Sequence, residues 1–175
     1  LSEKYLILLQ HPVFKDQKQS HRIFKKTLNA CKKINCKIYL IYPNYDPGYK
    51  LIIKMIKNQK NKKIEIFRNL DRKDFLTLAA HSLALVGNSS SGILESPSLK
   101  IPVVNIGDRQ EFREQNSNIL NAKYDEKDIY KKIKKAIKMK NYIKNIENKH
   151  GDGQSSKRIF KILKKIKIDR FILNK

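Results

Sequence analysis

Apolar positions along the chain fall into two alternating patterns. Short continuous runs are followed by longer stretches with helical spacing. The first run, Tyr5-Leu6-Ile7-Leu8-Leu9, has no polar alternation, as expected of a strand covered on both faces. Phe24, Leu28 and Cys31 then form one stripe of a helix expected from about Ser20 to Lys33. Lys37 to Tyr42 reads as a second strand. The turn-rich segment Pro43-Asn44-Tyr45-Asp46-Pro47-Gly48 separates it from a helix marked by Leu51, Ile52, Met55 and Ile56. Ile64-Glu65-Ile66-Phe67 reads as a third strand. Asp71 suits the N-cap of a helix carrying Phe75, Leu76, Leu78 and Ala79. Leu83 to Val86 is a fourth strand running into Gly87, followed by a helix around Ile93–Leu99. Ile101 to Ile106 is a fifth strand and Ile119 to Ala122 a short sixth. Two amphipathic helices close the chain, about Glu126–Met139 and Ser155–Ile168. Repeated strand–helix units with short connections imply an α/β fold, a Rossmann-like doubly wound parallel sheet with helices on both faces. Ligands of such sheets sit outside the carboxyl ends of the strands, so every loop after a strand is a candidate site.

At 175 residues the chain suffices for one domain with a real core and is short for two. No apolar run approaches the ~20 residues of a membrane span. The chain opens at Leu1 almost directly on its first strand, and no leader is expected from the sequence. This raises the expectation that it is part of something longer and acts in the cytoplasm. Cys31 and Cys36 are too few for a disulfide framework or a zinc site, and no metal or cofactor is expected. The net charge of +23 raises the question of nucleic acid. Much of that charge is diffuse. Lys131, Lys132, Lys134, Lys135, Lys138 and Lys140 surround Ile129, Ile133 and Ile137, as on the solvated face of a helix. Lys, Asn and Ile are abundant together, as AT-rich coding sequence gives. No aromatic platform alternates with the basic residues, so neither nucleic acid nor a membrane is the expected partner.

Gly87-Asn88-Ser89-Ser90-Ser91-Gly92 is the strongest local signal. Small residues before a helix, backbone N–H groups and serine hydroxyls suit a phosphate or diphosphate; the alternative is a plain serine-rich turn. The segment is neither a Walker A loop nor a G-x-G-x-x-G loop. Glu95, one turn on, either favours the helix dipole or accepts hydrogen bonds from ribose hydroxyls. Arg109 follows the fifth strand and can add charge to an anion site. His11 follows the first strand, where an imidazole faces the cleft and can donate to phosphate or transfer protons, which makes it the catalytic candidate within this chain.

Taken together, His11-Pro12-Val13, Pro43 to Gly48, Gly87 to Glu95, Ile101 to Gln110 and Gly151-Asp152-Gly153 resemble the C-terminal domain of UDP-N-acetylglucosamine 2-epimerases, over His11 to about Ile159. The resemblance implies one half of a GT-B arrangement, two Rossmann-like domains facing across a cleft. The catalytic carboxylates would lie in an N-terminal domain absent from this chain, so residues 1–175 would be a single nucleotide-binding domain, inactive in isolation. Pro12-Val13 after His11 resembles the hydrolysing branch, which releases UDP and the free 2-epimeric sugar for sialic or legionaminic acid synthesis. The alternatives are the non-hydrolysing branch and the half-domain of another GT-B enzyme such as a glycosyltransferase. A basic nucleic-acid-binding domain is the more distant one. Residue by residue, Ser89 and Ser90 resemble the diphosphate contacts, Glu95 the ribose carboxylate and Arg109 the basic residue near the nucleotide. Asn44 and Asp46 resemble residues reaching the sugar or the nucleotide, and His11 the cleft histidine. Leu70 falls in the loop that holds the uracil, without the aromatic side chain of some members. The expected partners are a UDP-sugar, the N-terminal domain and further copies of the full-length enzyme. In that arrangement the last helix braces the other domain. Ile159, Ile162, Leu163 and Ile166 would then pack on this domain, while Phe160 and Ile168 face the partner.

Overall fold

The computed structural model describes residues 3–13 and 17–166. Six strands form one parallel sheet: β1 (Tyr5–Leu9), β2 (Lys37–Ile41), β3 (Ile64–Phe67), β4 (Ala84–Gly87), β5 (Val103–Ile106) and β6 (Ile119–Ala122). Their order is β3-β2-β1-β4-β5-β6, every neighbouring pair parallel. The chain first winds outward from β1 to β3, then returns to β4 on the other side of β1. The order therefore reverses between β1 and β4, and their carboxyl ends open a crevice. All five residues of β1 are buried, which is why its run carries no polar alternation. The edge strand β3 leaves Glu65 and Ile66 exposed.

Alternate residues of each strand divide between two cores, as the period of two requires. Leu6, Leu8, Ile38, Leu40, Val86 and Val104 pack against α1 (Gln17–Lys32), α2 (Tyr49–Lys57) and α6 (Glu126–Met139). Tyr5, Ile7, Tyr39, Leu85 and Val103 pack on the other face, against α3 (Arg72–His81), α4 (Ser91–Leu94) and α5 (Ser96–Leu99). Asp71 caps α3 by accepting from the Asp74 N–H at 2.8 Å, and Asp125 caps α6 in the same way. Cys31 and Cys36 are free and buried, and burial raises both thiol pKa values.

Two helices depart from the sequence reading. The helix expected around Ile93–Leu99 is broken at Glu95 into α4 and α5, four residues each. Pro97 has no N–H for the Ile93 carbonyl, so the ladder is interrupted there. The last helix, α7, runs Ser155–Leu163, and none of its residues is buried. Ile159, Ile162 and Leu163, expected on this domain's core, are each more than half exposed, as is Phe160 at 66 %. Ile168 lies outside the described residues.

Candidate nucleotide site at the crossover crevice

The crevice is closed at its floor by Asn88, the first residue after β4. Its Oδ1 accepts from the His11 N–H at 2.7 Å and its Nδ2 donates to the His11 carbonyl at 3.0 Å. This reciprocal pair carries the β1–β4 ladder one residue past Gly87. Gly87 has φ +142°, and a Cβ there would stand 1.9 Å from the Leu9 carbonyl oxygen, so only glycine lets the strands approach this closely. The Asn88 carbonyl in turn accepts from Arg109 Nη1 at 3.1 Å and Gln110 Nε2 at 2.9 Å. One buried asparagine thereby ties together the loops after β1, β4 and β5.

The loop after β2 completes the cluster. The Asn44 N–H donates to His11 Nδ1 at 3.0 Å, and Asn44 Nδ2 donates to Asp46 Oδ2 at 2.8 Å. Arg109 Nη2 reaches the same carboxylate oxygen at 3.4 Å. With Nδ1 accepting, the neutral imidazole carries its proton on Nε2 and can donate from there. Burial depresses the His11 pKa to about 4, the nearby Arg109 charge adds to this, and Asp46 opposes it. At neutral pH His11 is therefore a hydrogen-bond donor without charge.

Ser89 and Ser90 follow Asn88 directly. The first turn bond of the segment runs from the Gly92 N–H to the Ser89 carbonyl at 3.1 Å, so the N–H groups of Ser89 and Ser90 lie ahead of the helical ladder. The Ser89 and Ser91 hydroxyls are 2.9 Å apart. Glu95 pairs with Arg72 at 2.5 Å, across from α5 to the start of α3. The Arg72 side chain is 75 % exposed and that of Glu95 25 %, so the pair lies at the surface of the domain. Leu70, two residues before Arg72, is half-buried against the second core.

The structure thus joins His11, Asn44, Asp46 and Arg109 through direct contacts, with Ser89 and Ser90 beside them. Glu95 belongs to a second group with Arg72, and Leu70 makes no polar contact with either. The sequence reading assigned no role to Asn88 or Gln110, the buried amides that position the cluster. Both fall inside the segments that carry the family resemblance, but nothing in the sequence marks either amide as the one that holds the loops together. Among the described residues no group of His, Cys, Asp and Glu is arranged to hold a metal ion.

A doubly wound parallel sheet with hydrogen-bond donors gathered at its switch point defines a Rossmann-like ligand-binding domain. The chain belongs to the UDP-N-acetylglucosamine 2-epimerase family, whose model matches residues 1–164. It is 33% identical over 174 residues to the UDP-N,N'-diacetylbacillosamine 2-epimerase (hydrolyzing) of Legionella pneumophila, covering 99% of this chain and 46% of that protein. It is 29% identical over 154 residues to the UDP-N-acetylglucosamine 2-epimerase of Neisseria meningitidis serogroup B, covering 88% of this chain and 41% of that one. Among solved structures, the Methanocaldococcus jannaschii UDP-GlcNAc 2-epimerase, in complex with UDP-GlcNAc and UDP, superposes with a TM-score of 0.74. That match has 20% identity and covers 93% of this chain and 45% of that chain. The chain thus spans less than half the length of these relatives.

Proposed function

We propose that this chain is the UDP-sugar-binding half of a hydrolysing 2-epimerase acting on UDP-N-acetylglucosamine or a related UDP-2-acetamido sugar. The observation that carries the reading is the convergence of His11, Arg109 and the Ser89-Ser90 segment on one crevice through Asn88. These groups offer a neutral N–H donor, a guanidinium and backbone N–H groups to one diphosphate. Glu95 then takes the ribose hydroxyls, and the loop of Leu70 takes the base. Pro12-Val13 after His11 and the hydrolysing relative from Legionella support the hydrolysing type.

In that reaction a base outside this chain removes the C2 proton. The C1–O bond breaks with its electron pair leaving on the diphosphate oxygen, and a glycal forms. Water then adds across the double bond and gives the free 2-epimer. Donors aimed at the leaving diphosphate stabilise the charge that develops there. The base belongs to a second domain facing the crevice, which leaves the 175-residue chain without turnover. A cytoplasmic location and self-assembly of the full-length enzyme belong to the same reading, supported by the family resemblance.

Calorimetry with the 175-residue chain tests it. UDP should bind, uridine should bind much more weakly, and Ser90→Ala should weaken UDP by about 1 kcal/mol or somewhat more. No UDP should be released from UDP-GlcNAc. Equal binding of UDP and uridine would remove the diphosphate role of Ser89 and Ser90, and measurable turnover would place the base within this chain.

A further inference from the structure

The donors gathered on Asn88 are set against carboxylates. Both terminal nitrogens of Arg109 are engaged within the chain, Nη1 with the Asn88 carbonyl at 3.1 Å and Nη2 with Asp46 Oδ2 at 3.4 Å. Asp46 Oδ2 also accepts from Asn44 Nδ2 at 2.8 Å, which ties the carboxylate to its own loop. The side chains of Arg109 and Asp46 are 28 % and 42 % exposed, so water and salt screen the pair only in part. His11 is uncharged at neutral pH, so His11, Asp46 and Arg109 together carry no net charge. Asp108 and Glu111 line a cleft of about 560 Å³ together with Asp46 and Arg109. In a chain of net charge +23, the cluster meant for an anion therefore holds no positive excess.

A site built for affinity alone would leave the Arg109 charge uncancelled. The Asp46 carboxylate opposes any anion bound at Arg109, and opposes it more the greater the anion's charge. Substrate and product of nucleotide release differ in that respect. A diphosphate esterified to a sugar carries about two negative charges. The terminal phosphate of free UDP titrates near pH 6 and adds most of a third at neutral pH.

We propose that Asp46 sets the discrimination between sugar nucleotide and free nucleotide in this crevice, disfavouring UDP by cancelling the Arg109 charge and repelling the additional phosphate charge. The inference rests on the reading of this crevice as a UDP-sugar site. Asp46 acts through Arg109 and through its own field, without contact with the ligand, and speeds the departure of UDP once the bond to the sugar has broken. A carboxylate that instead accepted hydrogen bonds from the ligand would act in the opposite sense, because its loss would weaken binding.

Calorimetry on the 175-residue chain at low salt, with UDP, UDP-GlcNAc and uridine, separates the outcomes. Asp46→Asn keeps an oxygen that can accept from Asn44 and removes the charge. It should bind UDP about tenfold and UDP-GlcNAc about fivefold more tightly than the native chain, and uridine no differently. The gain should shrink as KCl is added. Asp46→Glu, which keeps the charge, and Glu111→Gln, which removes a cleft carboxylate not paired with Arg109, should each stay within about twofold of the native chain. Unchanged or weaker UDP binding by Asp46→Asn, an equal gain for UDP and UDP-GlcNAc, or the same gain in either control would overturn the proposal, while UDP binding to the native chain still upheld the site. Failure of UDP to bind either the native chain or Asp46→Asn would overturn the site reading and the proposal with it.

Discussion

His11 shows how one residue's surroundings set its chemistry. The sequence marked it as a cleft imidazole able to donate to phosphate or to transfer protons. Its Nδ1 accepts the Asn44 N–H, and burial beside Arg109 holds the pKa near 4. Both favour a neutral donor over a base that cycles near pH 7. The depressed pKa also has a consequence for stability. Between about pH 6.5 and pH 4 the unfolded chain binds the proton and the folded chain does not. The stability contributed by the neutral ring is present above about pH 6.5 and is lost as pH falls toward about 4. Over that window the native chain should lose up to about 3 kcal/mol more than His11→Asn, at 1.36 kcal/mol per pKa unit. Urea unfolding of both at pH 7, 5.5 and 4.5 checks this; parallel profiles would show that His11 titrates normally. The chemical identities of His11, Ser89, Ser90 and Arg109 were legible because each follows a strand. Asn88 was not, because its role is to tie its own loop to the loops after β1 and β5, far apart in sequence.

Among the elements, β1 and β4 carry the site and depend on their close approach at Gly87. An added Cβ would meet backbone, the Leu9 carbonyl oxygen, which cannot swing aside as a side chain can. Gly87→Ala should therefore cost at least about 3 kcal/mol, strain at positive φ and a backbone clash together. A denaturation midpoint close to that of the unsubstituted chain would show that the ladder gives way without loss. The break between α4 and α5 has a different origin. Apolar spacing from Ile93 to Leu99 suggested one helix, and Pro97 divides it because the ladder needs an N–H at that position. The carboxylate of Glu95 sits at the break, paired with Arg72.

At the scale of the whole molecule, α7 stands apart from the core. Apolar residues at i, i+3, i+4 and i+7 predicted a stripe against this domain, yet Ile159, Ile162, Leu163 and Ile166 are all exposed along with Phe160. An apolar surface of this kind marks an interaction face or an association hazard. The triple substitution Ile159→Gln, Ile162→Gln and Leu163→Gln should leave the domain's unfolding free energy within about 0.5 kcal/mol. It should also reduce any self-association seen by sedimentation. A clear loss of stability would show that α7 packs on its own domain in solution.

What the sequence determined by itself was the alternation of six strands and their helices, the parallel sheet, and the chemistry of the loops after the strands. These follow from periodicity and from short connections, which are local properties. Tertiary structure alone decided the strand order, and with it the pairing of β1 with β4. Only that pairing turns His11, Asp46, Asn88 and Arg109, up to 98 positions apart, into one hydrogen-bonded group. It also decided that α7 finds no place on the core. Periodicity states which face of a helix is apolar, while the element that covers that face is a matter of what else is near in space.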